Sequence, residues 1–181
     1  MFFIIFYNII NFKKEYEILG KLVDTNTVPA PIELIEEFDN LYLIEEYIEG
    51  ESLRSYPHKH SPYINQVSDS ERMKKIHKEF EVELEIIIEG ILSGISKLHE
   101  KQIALGDISP SNIIYNRDLK KINFVDLETA FSFEKDEVGN PDMLLTPGFS
   151  TMRYDKTIVE IELYKMGLVF MYLIEPYNAF F

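Results

Sequence analysis

Apolar positions recur along this chain at two periods, and the switches between them mark out its elements. In "FKKEYEILGKLV", Phe12, Tyr16, Leu19 and Val23 fall at helical spacing with charges opposite, which predicts an amphipathic helix that Gly20 should weaken or end. Pro29 and Pro31 then break any helix. Two partly alternating apolar runs follow, separated by "FDN", and predict an antiparallel hairpin. "GESLRSY" predicts a short helix, and residues 57–70, rich in Pro, Ser, His and Asn, predict a loop.

The longest helical pattern is "SERMKKIHKEFEVELEIIIEGILSGISKLHE". Ser70 is placed to cap it, and Ile87, Ile91, Gly94, Ile95 and Leu98 form the stripe expected to face the core. Short runs come next. "IIYNRDLKKINFV" predicts a small hairpin, and residues 132–157, punctuated by Gly139, Pro141, Pro147 and Gly148, predict a polar loop. "VEIELYKMGLVFMYLIE" predicts a largely buried closing helix. The fold class is mixed α+β, without internal repeats. The first residues, "MFFIIFYNIINF", are too short a run to span a bilayer and lack the flanks of a secretory signal. They predict a buried strand or helix start, or else an apolar end exposed by a missing piece of protein.

Composition narrows the chemistry. The 181 residues are 46% hydrophobic, enough to bury a core. The net charge of -13 argues against a nucleic-acid footprint and against an anionic membrane surface. Without cysteine, disulfides, thiolate metal sites and cysteine nucleophiles are excluded. A reducing cytoplasm is compatible with this. The four histidines show no metal-ligand spacing.

What remains is an acidic constellation in "ALGDISPSNIIYNRDLKKINFVDLETAF". Asp107 and Asn112 stand five positions apart with Pro110 between them, which predicts an ordered loop. A carboxylate and an amide oxygen are hard ligands suited to Mg²⁺, which takes few protein carboxylates plus phosphate oxygens. Asp126 follows the strand-like "INFV" and is placed at the rim of a cleft. Taken singly, each of these residues is more simply a turn former. The joint pattern is more specific: a long helix ending "LH", then D-x-x-x-x-N, a hairpin, and an aspartate closing its second strand.

With that pattern the chain resembles the protein-kinase superfamily, whose catalytic loop H-R-D-x-x-x-x-N precedes a metal-binding D-F-G. The matching segments are "LGDISPSN" and "DLE". "EYEIL" is similar to helix C, "LYLIEEYIEG" to the fifth strand and hinge, "TPGF" to the end of an activation segment, and "IELYKMGLVFMYLI" to helix F. Together "GDISPSNII", "DLETAF" and "TPGF" look most like the kinase-like domain of class III lanthionine synthetases, which phosphorylates Ser and Thr of a precursor peptide beside lyase and cyclase domains. The Gly-Asp loop and the acidic Glu128 also resemble small-molecule kinases of the aminoglycoside and choline type.

The resemblance implies an α+β kinase-like fold with a partial small lobe, residues 1–49, and a partial large lobe, residues 50–181. It implies ATP and Mg²⁺ as cofactors, a Ser/Thr-containing peptide as partner, and neither nucleic acid nor membrane. Asp107 would orient the acceptor hydroxyl and take its proton, while Asn112 and Asp126 would hold Mg²⁺. The Glu46 carbonyl and Ile48 N–H would pair with adenine, and Ser111 would lie near ribose or substrate. Glu15 would hold the helix C position that pairs with a phosphate-binding lysine, its alternative being a solvated helix charge. Glu162 would be the helix F acid that supports the catalytic loop.

The sequence also departs from the family pattern. Leu105-Gly106 stands in place of His-Arg, and Ser109 where Ser/Thr kinases usually carry lysine. Gly20 is the first glycine, no strand lysine precedes the helix C segment, and the Glu of A-P-E would fall at Arg153. Lys13 and Lys14 lie in or beside that helix and are not expected to substitute. The chain therefore reads as the middle of a kinase domain. Two expectations stand: an ATP-dependent kinase that needs a further amino-terminal part, or a non-catalytic module that binds a partner.

Overall fold

The computed structural model describes residues 2–5, 9–38, 40–64, 70–134, 136–138, 148–149 and 155–175, with side chains from Phe12 onward. In chain order the elements are β1 (Phe2–Ile5), α1 (Ile9–Leu22), β2 (Pro31–Glu37), β3 (Asn40–Glu46), β4 (Glu51–Ser52), α2 (Tyr56–His60), α3 (Ser70–Glu100), β5 (Ile103–Ala104), β6 (Ile113–Asn116), β7 (Lys121–Phe124), β8 (Phe131–Ser132) and α4 (Ile158–Ile174). Short 3₁₀ turns follow α1 at Val23–Thr25 and precede β6 at Pro110–Asn112.

The first sheet has the order β1-β3-β2, antiparallel throughout. The hairpin predicted around "FDN" is β2–β3. Strand β3 lies in the middle and buries Leu41 and Leu43 at alternate positions. The apolar start of the chain pairs as a strand over Phe2–Ile5, opposite Leu43–Glu46. Helix α1 packs on this sheet through Phe12, Glu15, Ile18, Leu19 and Leu22, all buried. The predicted stripe is thus turned by about one position. Val23 is not on it: it is 47% exposed in the 3₁₀ turn. Gly20 does not end the helix. A side chain there would meet nothing within 4 Å, and the helix runs on until Asn26 closes the 3₁₀ turn in the left-handed region.

"GESLRSY" is not a helix. Glu51 and Ser52 form β4, paired with Tyr115 and Ile114, and the helix begins at Tyr56. A two-residue strand is dictated by its distant partner, which local periodicity does not contain. Residues 57–60 accordingly belong to α2 rather than to a loop. The β4-β6-β7 sheet rests on α3. Helix α3 carries Phe80, Leu84, Ile87, Ile91, Ile95 and Leu98 buried at three- and four-residue spacing. Gly90 and Gly94 bring it against Ile122 and Phe124 of β7: an added Cβ would lie 2.7 Å and 2.6 Å from those side chains.

Helix α4 starts with a capping box, Thr157 accepting from the Glu160 N–H while the Glu160 carboxylate accepts from the Thr157 N–H. Its buried face carries Ile161, Met166, Val169, Tyr172 and Leu173, and also Glu162 and Lys165. One hydrophobic cluster runs from α1 through β3, α3 and β7 to α4. Among the described residues no helix is long and apolar enough to cross a membrane. Of the loop predicted at 132–157, Ser132 instead pairs with Ile103 in β8, and residues 135, 139–147 and 150–154 lie outside the described residues, including Thr146 and Pro147 of "TPGF" and Arg153.

Candidate active site

Asp107 follows β5 at a turn held on every side. Gly106 has φ +75°, and the Asp107 N–H reaches back to the Leu105 carbonyl at 2.9 Å, the geometry of the rare positive-φ γ-turn. Glycine is required twice over. The backbone is in the left-handed region, and an added Cβ would sit 2.6 Å from the Thr129 carbonyl oxygen. From α4, Glu162 Oε1 accepts from the N–H groups of Leu105 at 2.7 Å and Gly106 at 3.1 Å. Its other oxygen is 2.6 Å from His99 Nε2 at the end of α3. Glu162 is 0% exposed. The contact expected of the helix F acid is therefore present, and it adds a histidine not foreseen.

Asn112 closes the other end of the loop. Its Nδ2 donates to the Asp107 carbonyl at 3.3 Å and to Asp107 Oδ2 at 3.2 Å. That turns Oδ1 away from Asp107. The Asn112 carbonyl accepts from the Val125 N–H at 2.9 Å, which ties the loop to the residue just before Asp126. Asp126 itself has φ +61°, a conformation aspartate tolerates better than most residues. The Glu128 N–H folds back onto its carboxylate, the Asx-turn pattern.

Asp107, Asn112 and Asp126 are thereby brought near one another, with Glu128 beside them. Partial withdrawal from water, then the Asp107 charge, raise Asp126 above its ordinary pKa. Burial, then Asp126 and Asp107, do the same to Glu128. Behind them, Glu15 is 4% exposed and accepts from the Leu127 N–H at 2.9 Å. The solvated-charge alternative for Glu15 is thus excluded. Burial and the Glu45 charge push it up to about 7. Burial, then Asp126, push Glu45 up to about 7 as well. Five carboxylates gathered in one place favour any partner that neutralises them.

Mg²⁺ fits this donor set. Every available ligand is a hard oxygen, and the ion needs only one or two protein carboxylates when phosphate supplies the rest. Among the described residues no group of three His, Asp or Glu side chains could hold a metal by itself.

Glu46 and Ile48, predicted to meet adenine, line a groove with Asn116, Lys121 and Asn123 rather than with the acidic residues. The Glu46 N–H donates to the Ala30 carbonyl at 2.9 Å and its carboxylate accepts from the Ala30 N–H at 3.2 Å. These bonds fix the chain where β3 leaves the sheet towards half-buried Ile48. Ser111 is exposed, and its carbonyl accepts from Ser52 Oγ at 3.4 Å. Lys13 pairs with Glu36 at 3.8 Å on the surface, away from Glu15 as expected. Strand β1, beside β3, consists of Phe2, Phe3, Ile4 and Ile5 and carries no lysine.

Three functional candidates were not legible as such. Lys165 is 1% exposed and donates through Nζ to the Gly106 carbonyl. Thr129 Oγ1 donates to the Leu105 carbonyl at 2.7 Å and accepts from the Asp107 N–H at 3.1 Å. Glu45 joins the acidic group. A signal existed for Lys165: it stands four positions from both Ile161 and Val169, on the apolar stripe. The model of the protein kinase domain matches residues 7–181, nearly the whole chain. The chain belongs to the protein kinase domain family, and its α+β fold is the partial kinase-like fold that the sequence resembles.

Proposed function

We propose that the chain is an ATP- and Mg²⁺-dependent phosphotransferase of the protein-kinase type, acting on a Ser or Thr hydroxyl of a peptide. The observation that carries this reading is that Asp107, Asn112 and Asp126 lie near one another, with the Asp107 N–H and carbonyl both bonded. Asp107 orients the acceptor hydroxyl and takes its proton. Asn112 Oδ1 and the Asp126 carboxylate hold Mg²⁺, which when bound offsets negative charge on the transferred phosphate. The segment from Glu46 to Ile48 receives adenine, and Ser111 lies at the edge nearest ribose or acceptor. The boundary between the two lobes then falls near Gly50.

The resemblance of "GDISPSNII", "DLETAF" and "TPGF" to class III lanthionine synthetases supports a lanthipeptide precursor as the acceptor, with lyase and cyclase activities as further partners in a reducing compartment. The experiment is incubation with labelled ATP, a genomically adjacent precursor peptide and a panel of small hydroxylated compounds, in parallel with Asp107→Asn. Label in the peptide that is lost in the variant supports the reading. Label only in a small molecule points to the aminoglycoside and choline type instead.

A second reading, a non-catalytic binding module, is favoured by two features. Strand β1 offers no lysine, and Glu15 accepts through Oε1 from the Leu127 N–H. Single-turnover transfer at saturating Mg-ATP separates the two readings. A missing phosphate donor in such a site costs roughly 10²- to 10³-fold, so slow but Asp107-dependent transfer fits the first reading. Nucleotide binding with no transfer fits the second.

A further inference from the structure

The turn that presents Asp107 has no polar side chain of its own, because Leu105 and Gly106 occupy the two positions before it. Its peptide groups are nevertheless bonded one after another by side chains from elsewhere. Glu162 takes the N–H groups of Leu105 and Gly106. Lys165 donates a hydrogen bond to the Gly106 carbonyl. Thr129 is bonded to both ends: its single hydroxyl proton goes to the Leu105 carbonyl, and its oxygen receives the Asp107 N–H.

A buried ammonium is costly unless it is paired and bonded. Lys165 is bonded to the Gly106 carbonyl; burial lowers its pKa, and the Glu162 and Asp107 charges only partly offset this. An apolar residue would fill the same stripe of α4 without that cost. What the ammonium adds is a bond to the peptide that immediately precedes Asp107. Glycine has the widest choice of backbone conformations, so a turn centred on Gly106 needs outside bonds to hold one direction.

We propose that Lys165 and Thr129 are the positioning residues of Asp107: they fix the peptide planes on either side of Gly106 and so set where its carboxylate points. The role rests on the phosphotransfer reading above. Both act through the backbone of the turn. Among the described residues, the groups facing the Asp107 carboxylate include the Asn112 amide, the Asp126 and Glu128 carboxylates, and Lys165.

The test uses the full chain with Thr129→Val, Thr129→Ser, Lys165→Met and Lys165→Arg, and two independent readouts. The first is amide hydrogen exchange at Gly106 and Asp107 compared with the α3 amides between Ile87 and Ile95. Thr129→Val and Lys165→Met should speed exchange at the turn by about tenfold, the net worth of about one hydrogen bond, with α3 unchanged. The second readout is kcat and KM for Mg-ATP. Misplacement of a reacting group lowers kcat by about 10- to 100-fold and leaves KM unchanged, and Thr129→Ser should restore both readouts. Should Lys165→Met fail to fold, the Thr129 pair decides. Unchanged exchange at the turn, or a Thr129→Ser variant as impaired as Thr129→Val, overturns the proposal. A wild-type chain that transfers phosphate to nothing yet shows the expected exchange pattern overturns the phosphotransfer reading and supports the geometric assignment.

Discussion

Glu15 and Leu127 are 112 positions apart, and the carboxylate of the first accepts the N–H of the second at 2.9 Å. The bond joins the buried face of α1 to the residue after Asp126. The placement of the proposed metal ligand therefore depends on a helix from the other end of the sequence. It also holds a carboxylate in a nearly dry place beside other acids, which has a consequence for stability.

Stability of the metal- and nucleotide-free chain should fall as pH rises from about 4.5 to about 7. Folded Glu15 keeps its proton to about 7, against 4.5 for the unfolded group. Between those values the native state binds more protons than the unfolded state, so the slope of stability with pH is negative. The contribution is fully present below the unfolded value and is lost through the folded one. For Glu15 it is on the order of 3 kcal/mol. Glu45 shifts in the same direction, but the two share one repulsion and do not add. Urea unfolding at pH 5 and pH 8, with chelator present, measures the effect. Glu15→Gln should flatten the dependence, and an equal slope in that variant would reject the assignment.

Asp126→Asn should abolish Mg-ATP turnover and leave the fold intact. Its carboxylate meets solvent at the rim, so its loss empties no core. Circular dichroism and the thermal midpoint should match the wild type. Turnover that survives the substitution would remove Asp126 from the metal site.

Glu162→Ala should be strongly destabilising. It leaves the Leu105 and Gly106 N–H groups and His99 without their acceptor, and it removes one of the two charges that favour the buried Lys165 ammonium. Breaking a buried charged network of this kind costs about 3 to 5 kcal/mol. Urea denaturation showing a change near zero would mean that the loop is held by other means.

Two glycine substitutions in helices should have opposite signs. Gly94→Ala places a methyl 2.6 Å from the Phe124 ring and should cost about 1 to 3 kcal/mol by overpacking. Gly20→Ala meets nothing within 4 Å in the interior of α1 and should stabilise by about 1 kcal/mol through helix propensity. Thermal unfolding of both variants tests whether α3 lies as close to β7 as described.

Much was legible in the sequence because it is local. The apolar period of α3, the turn between β2 and β3, the β6–β7 hairpin and the buried run of α4 depend on residues within one or two turns of each other. The spacing of Asp107, Asn112 and Asp126 was legible too, since a loop and a short hairpin join them. The tertiary structure alone decided which charges are buried. Glu15 reads as one acid in a charged helix until α1 is seated with it inward. Lys165 stands on the apolar stripe of α4, but the carbonyl it meets is known only once α4 lies under Gly106. Thr129 reads as a loop residue until its hydroxyl meets both ends of the Asp107 turn. The strand β4 likewise exists only because Tyr115 and Ile114 stand opposite it. The physical reason is common to these cases. Local propensity is set by a residue's own backbone and near neighbours, whereas burial, hydrogen-bond satisfaction and charge pairing are set by groups 22 to 112 positions away.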